Sequence, residues 1–141
     1  MNNTASGNDA LRKFLVYHLP VIMYAGLIFA VSSIPHLKTP KILIFQFDKA
    51  AHFLEYALLA LLAFRSTTHL NAKMTRHTGF LLSAIFVAIF ATLDELYQRT
   101  VPGRHSGVGD LAMDLTGAAL VLILLWYRGN TGSSATLKGE Q

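Results

Sequence analysis

Carboxylate side chains and a histidine gather in three short polar segments of this 141-residue chain. Six of its eight Asp and Glu residues lie in these segments. The nine candidate site residues are Asp48, His52, Glu55, Tyr56, Glu95, Gln98, Arg104, Asp110 and Asp114. A histidine with several carboxylates can hold a divalent cation, or can divide general acid and general base roles. An arginine adds a donor group that can bind a phosphate. The three segments therefore have the side chains of a binding site or a catalytic site.

The first polar segment has the spacing of one helix face. Asp48, His52, Glu55 and Tyr56 recur at positions i, i+4, i+7 and i+8. At a rise of about 1.5 Å per residue, Glu55 lies roughly 10 Å deeper along the helix than Asp48. An ionised carboxylate facing lipid is costly, so we expect this face to point into a helix bundle. Asp48 is predicted to cap the start of the helix.

The second polar segment, Asp94–Gln98, closes a predicted helix. Asp94 and Glu95 are adjacent, so their side chains point about 100° apart on a helix. We expect one of them to face inward and the other to face the lipid headgroups. Carboxylates near a helix C-terminus are opposed by the helix dipole, which favours a cationic neighbour such as Arg104 or Lys49.

The third polar segment, Asp110–Asp114, begins another predicted helix. Asp110 is suited to the positive end of the helix dipole, an interaction worth under about 1 kcal/mol. Asp114 lies one turn deeper, where the dipole explains it less well. Gly117 follows in the next turn and would let a second helix approach closely.

Four apolar stretches must position these polar segments. They are residues 14–34, 50–64, 80–96 and 111–127. The chain is 52% hydrophobic and only 14% charged, whereas soluble domains average roughly 25% charged residues. A membrane-spanning helix needs about 20 mostly apolar residues. We therefore predict an all-α membrane protein with four transmembrane helices and both termini on the same side. In that topology the three polar segments share one membrane face.

The flanking charges predict the orientation. Seven Lys and Arg residues lie on the side of the termini and five on the opposite side, so the positive-inside rule favours cytoplasmic termini. The polar segments would then face outward. We predict a polar N-terminal tail at residues 1–11, a membrane domain at 12–128 and a disordered C-terminal tail at 129–141. No basic face with interleaved aromatic residues is present, so we expect no nucleic-acid partner.

The polar segments resemble those of the VanZ family of small bacterial membrane proteins. The matching stretches are Phe29–Pro35, Asp48–Tyr56 and Asp94–Gln98, followed by Arg104, Asp110, Asp114 and Gly117. The resemblance covers about residues 14–127. It implies a multipass protein of the bacterial cytoplasmic (inner) membrane with a role in the cell envelope. The family's namesake is associated with low-level resistance to the glycopeptide teicoplanin, so the resemblance implies a link to antibiotic resistance but names no reaction.

We interpret the polar segments as a pocket at the outer membrane face that binds an envelope ligand. The expected partners are membrane lipid, a phosphate-bearing or cationic headgroup, or a cell-wall precursor, with Arg104 as the contact for an anion. One alternative is a membrane-embedded hydrolase or transferase that acts on a lipid-linked substrate through His52 and carboxylates. Another is a structural or transport-related helix bundle.

Known catalytic motifs do not favour the enzyme alternative. The sequence has neither the H-E-x-x-H spacing of a metalloprotease nor a serine in a nucleophile elbow. No cysteine is present, which excludes thiolate-bound zinc. We therefore predict no metal site from the sequence and assign no cofactor.

Overall fold

The computed structural model describes residues 3–35, 44–71, 73–104 and 106–136. Within these ranges the chain is helical and has no strand, which confirms the all-α prediction. The elements are α1 (Asn3–Lys13), a π-helical turn (Phe14–His18), α2 (Leu19–Ser32), α3 (Ile44–Thr67), α4 (Arg76–Gln98) and α5 (Val108–Thr136).

The π-helical turn joins α1 and α2 into one long helix that contains Pro20. Proline has no backbone N–H and clashes with the preceding helical turn. The wider π-helical turn lies directly before it, and the N–H of Leu19 bonds to the carbonyl of Phe14, five residues back. Pro20 therefore occupies the first turn of α2, where a missing N–H is tolerated, and the helix continues past it.

Three helical segments are long and apolar enough to cross a membrane. They are Gly7–Ser32, Arg76–Gln98 and Val108–Arg128. α3 is not among them, because its first half has the polar residues Asp48, Lys49, His52 and Glu55. Membrane-spanning composition is thus shown for three of the four predicted spans. The fourth span and the side of the termini stay predictions.

Two helix boundaries differ from the sequence-based expectations. α3 begins at Ile44, four residues before Asp48, so Asp48 lies inside the helix and the prediction that it caps the helix is wrong. α5 continues to Thr136, so the first part of the tail predicted to be disordered is helical up to that residue. Residues 137–141 lie outside the described ranges.

α3 is the central helix of the bundle. It packs most extensively against α5, and it also contacts α4 and α2. Small residues bring these helices close: Ala60 and Ala63 of α3, Ala91 of α4 and Ala118 of α5 are all buried. The outward-facing positions are apolar; among the exposed side chains are Leu27, Leu58, Ile85, Leu93 and Leu124. The bundle therefore presents a largely apolar surface, as a lipid environment requires.

Candidate functional site

Two polar pairs join the beginnings of α3 and α5. Nζ of Lys49 donates to Oδ1 of Asp110 over 2.8 Å. One turn deeper, Nδ1 of His52 lies 2.9 Å from Oδ1 of Asp114, whose side chain is only 2% exposed. An ionised carboxylate can only accept hydrogen bonds, so Nδ1 of His52 donates when Asp114 is ionised. Lys49 and His52 lie three residues apart on α3, and their partners Asp110 and Asp114 lie four residues apart on α5. Each pair is therefore on one face of its helix, about one turn apart, so the two contacts form side by side.

Asp94 is the centre of a second network, which joins α2, α3 and α4. Its Oδ2 accepts from Oγ of Ser32 over 2.9 Å, from Nε2 of Gln98 over 2.9 Å and from the hydroxyl of Tyr56 over 3.3 Å. Nε2 of Gln98 also donates to Oγ of Ser32 over 3.0 Å. All four side chains are buried. Oδ1 of Asp94, by contrast, is buried without a partner among the described residues.

Glu95 has a buried carboxylate that the described residues leave without a hydrogen bond. The residue is 3% exposed, and neither Oε1 nor Oε2 makes a hydrogen bond of ordinary geometry among the described residues. The hydroxyl of Ser106, which donates to the main-chain carbonyl of Glu95 over 3.2 Å, is also close enough to interact with the carboxylate. The carboxylate of Glu95 lies within electrostatic range of His52, Asp110 and Asp114. Most buried polar groups in proteins are hydrogen-bonded, and an unpaired one costs about 1–3 kcal/mol, or more if charged. Such a placement needs a reason other than the stability of the bundle.

Arg104 binds main-chain carbonyl groups at the C-terminal end of α2. Its Nη2 donates to the carbonyl of Val31 over 2.7 Å and its Nε donates to the carbonyl of Ser32 over 3.4 Å. These carbonyls belong to the last turn of α2, where carbonyl groups lack the partners of a helix interior. That of Val31 also accepts from the N–H of Ile34 over 3.1 Å, so the guanidinium adds further donors at this helix end. Arg104 is nevertheless within electrostatic range of Glu55, which keeps it next to the carboxylates. Its role as an anion contact stays a prediction.

The predicted site residues meet at one end of the bundle. His52 and Asp114 pair directly, and possible ligand atoms of Asp48, His52 and Asp110 lie within 4.8 Å of one another. Tyr56 and Gln98 both contact Asp94. The half-buried Glu55 is within electrostatic range of His52, Asp94 and Asp114. The structure thus brings the three polar segments together, while their role in binding stays a prediction.

Asp94 and Ser32 belong to the cluster but were not among the predicted site residues. Only one of Asp94 and Glu95 was expected to face inward, and this is wrong, because they are 4% and 3% exposed. They point to different neighbours: Asp94 toward α2 and α3, and Glu95 toward the charged groups of α3 and α5. Ser32 was missed as well. The signal for it was its place in Phe29–Pro35, one of the stretches that carry the family resemblance.

A protein-family model described as VanZ/LLP1 matches residues 7–129, which covers most of the chain and all three polar segments. No curated protein and no solved structure matches the chain.

Proposed function

This chain belongs to the VanZ/LLP1 family, and we propose that its polar site binds the positively charged group of an envelope ligand. In this proposal the protein crosses the bacterial cytoplasmic membrane four times, its termini are cytoplasmic and the site opens outward. The observation that supports it most is the carboxylate of Glu95, which is buried with no hydrogen-bond partner among the described residues.

The balance of charges favours a cationic group over an anion as the deepest part of the ligand. Two of the cations at the site are already next to carboxylates, since Lys49 pairs with Asp110 and His52 with Asp114. The hydrogen bonds of Arg104 go to carbonyls of α2. Carboxyl oxygens are therefore in excess, and those of Asp94 and Glu95 can accept from an ammonium group. Charge-assisted hydrogen bonds of this kind are roughly twice as strong as neutral ones.

A zwitterionic headgroup has both groups that the sequence led us to expect in the ligand, a phosphate and a cation. Its amine would bind toward Glu95, and its phosphate would stay near Arg104 and Lys49 at the level of the headgroups. A lipid with an ethanolamine headgroup has this chemistry. A lipid-linked cell-wall precursor with a free peptide amine has it too, so the shared feature is an amine and a phosphate on one amphiphile.

We expect the purified full-length chain to prefer lipids that have the amine. Hydrogen bonds to charged groups contribute about 1.5–3 kcal/mol, which corresponds to roughly 10- to 100-fold in affinity. Phosphatidylethanolamine should therefore bind at least about tenfold more tightly than phosphatidylglycerol, as measured by native mass spectrometry in detergent. A cell-wall precursor assayed with its amine free and acetylated separates the two possible sources. Equal binding of the amine-bearing and amine-free members of both pairs would contradict the proposal.

One observation favours a second candidate function, a hydrolase or transferase acting on a lipid-linked substrate. The contact between Nδ1 of His52 and Asp114 is the arrangement of a general base held by a carboxylate. Within the described residues, however, no serine or threonine hydroxyl bonds to His52, so the histidine holds no hydroxyl nucleophile there. Release of a product from the bound lipid, lost in His52→Ala, would establish this candidate.

The link to glycopeptide resistance is part of the binding proposal. A site on the outer face lies on the side of the membrane where teicoplanin acts. Expression of the chain in a teicoplanin-susceptible bacterium should then raise the minimal inhibitory concentration, and a variant that cannot bind the ligand should not raise it.

A further inference from the structure

Three possible metal ligands from two helices converge at the open end of the site. Asp48 and His52 lie one turn apart on α3, and Asp110 lies in the first turn of α5. One ligand atom from each lies within 4.8 Å of the other two. Two ligand bonds of about 2.0–2.2 Å place atoms on opposite sides of one ion at most about 4.4 Å apart. Small side-chain rotations therefore suffice to bring all three onto one ion.

His52 is oriented for such a role by Asp114. Because Nδ1 of His52 pairs with the buried carboxylate of Asp114 over 2.9 Å, its lone pair on Nε2 is available to a metal. Metal-binding histidines commonly donate their other N–H to a carboxylate, which fixes the ring and makes it a better ligand. The side chain of His52 is 12% exposed, so the ring is not sealed from the aqueous face.

Glu95, the same carboxylate that supports the proposed amine ligand, gives an indication separate from the three ligand atoms that a positive charge belongs here. Its carboxylate is buried, has no partner among the described residues, and lies within electrostatic range of His52 and Asp110. A divalent ion between Asp48, His52 and Asp110 would supply the missing positive charge close to this carboxylate.

We propose that the chain binds one divalent transition-metal ion through Asp48, Nε2 of His52 and Asp110. Asp114 is a positioning residue that orients His52. Imidazole with carboxylates is a ligand set suited to Zn²⁺ or Mn²⁺, with remaining positions open to water or to a ligand oxygen. The sequence placed these three residues among the candidate site residues but did not single them out as a metal site, because the third ligand comes from a different helix. The inference goes beyond the proposed ligand, since the ion alone should bind in the absence of any lipid.

Calorimetric titration of the purified full-length chain in detergent with Zn²⁺ alone and with Mn²⁺ alone tests the site. We expect one ion per chain for at least one of the two metals. Asp48→Asn and His52→Ala should each lower its affinity at least tenfold. Asp9→Asn and His77→Ala remove the same functional groups away from the site and should leave it unchanged. If His52→Ala does not fold, the metal affinities of Asp48→Asn and Asp110→Asn test the site instead, and each should be lower than that of the wild type.

Two further variants separate a metal site from a purely structural network. Lys49 pairs with Asp110, so Lys49→Met should tighten metal binding by removing a competing cation. Asp114→Ala should weaken binding about 10- to 100-fold, whereas Asp114→Asn retains an oxygen that can accept from Nδ1 and should recover part of the loss. Absence of Zn²⁺ and Mn²⁺ binding to the wild-type chain, or unchanged affinity in Asp48→Asn, would overturn the proposal. Loss of lipid binding with metal binding intact would instead count only against the proposed ligand.

Discussion

Replacing Gly117 with alanine should force α5 away from α3 and disrupt the site. A Cβ on Gly117 would collide with the main-chain carbonyl of Phe53, and backbone cannot rotate away as the end of a side chain can. Overpacking of this kind costs about 1–3 kcal/mol. The contact lies next to the pair of His52 and Asp114, because Phe53 directly follows His52 on α3 and Gly117 lies three residues after Asp114 on α5. The polar contacts between the two helices should therefore be lost with it. The measurement is thermal unfolding of the purified protein in detergent, followed by circular dichroism.

Gly26→Ala is the matched control for this variant. A Cβ on Gly26 of α2 would have nothing within 4 Å. Alanine is also the better helix former, by about 0.8–1.0 kcal/mol in a helix interior, so Gly26→Ala should be neutral or stabilising. If Gly117→Ala were as stable as Gly26→Ala, the close packing of α3 on α5 described here would be wrong.

Glu95→Gln should separate function from stability more sharply than any other single change. The substitution retains the size of the side chain and removes a buried negative charge that has no partner among the described residues. We expect the thermal stability to be unchanged or raised, by on the order of 1 kcal/mol, because an unpaired buried charge no longer has to be accommodated. Binding of the amine-bearing lipid should fall by about 10- to 100-fold, since the charge-assisted contact is lost. Native mass spectrometry and thermal unfolding on the same preparations measure the two effects.

The control for Glu95→Gln is Asp9→Asn, a loss of charge at an exposed position of α1. It should change neither lipid binding nor stability. In a teicoplanin-susceptible host, Glu95→Gln should abolish the rise in inhibitory concentration that the wild-type chain produces, and Asp9→Asn should preserve it. A Glu95→Gln variant that is less stable but binds lipid as the wild type does would support the structural alternative, in which the charges only hold the helices together.

The apolar stretches made the helices and their common polar end predictable. Three of the four are long enough to cross a bilayer. An antiparallel path leaves the start of α3, the end of α4 and the start of α5 at one end. The four-residue spacing of Asp48 and His52 predicted their common face, and Gly117 was correctly read as a point of close helix approach. Local periodicity is enough for these features because each depends on one helix at a time.

Other features depend on how helices cross, which one segment cannot reveal. The inward direction of both Asp94 and Glu95 arises because α4 lies between α2 and α3 on one side and the charged groups of α3 and α5 on another. The contact of Arg104 with the last carbonyls of α2 depends on the turn at Gly103, whose φ of 77° few other residues adopt. Ser32 stands beside Ser33 in the stretch Phe29–Pro35, and its distance to Asp94 is what distinguishes it from that neighbour.

Cysteine labelling tests most directly whether the three polar helix ends share one membrane face. The chain has no cysteine of its own, so single substitutions at exposed positions give no background. Ala50→Cys, Arg99→Cys and Val108→Cys place a thiol beside each polar helix end, and Leu70→Cys places one in the loop between α3 and α4. With a membrane-impermeant maleimide on intact cells, the first three should be labelled, and Leu70→Cys only after the membrane is permeabilised. Labelling of positions 50, 99 and 108 from different compartments would contradict a shared site.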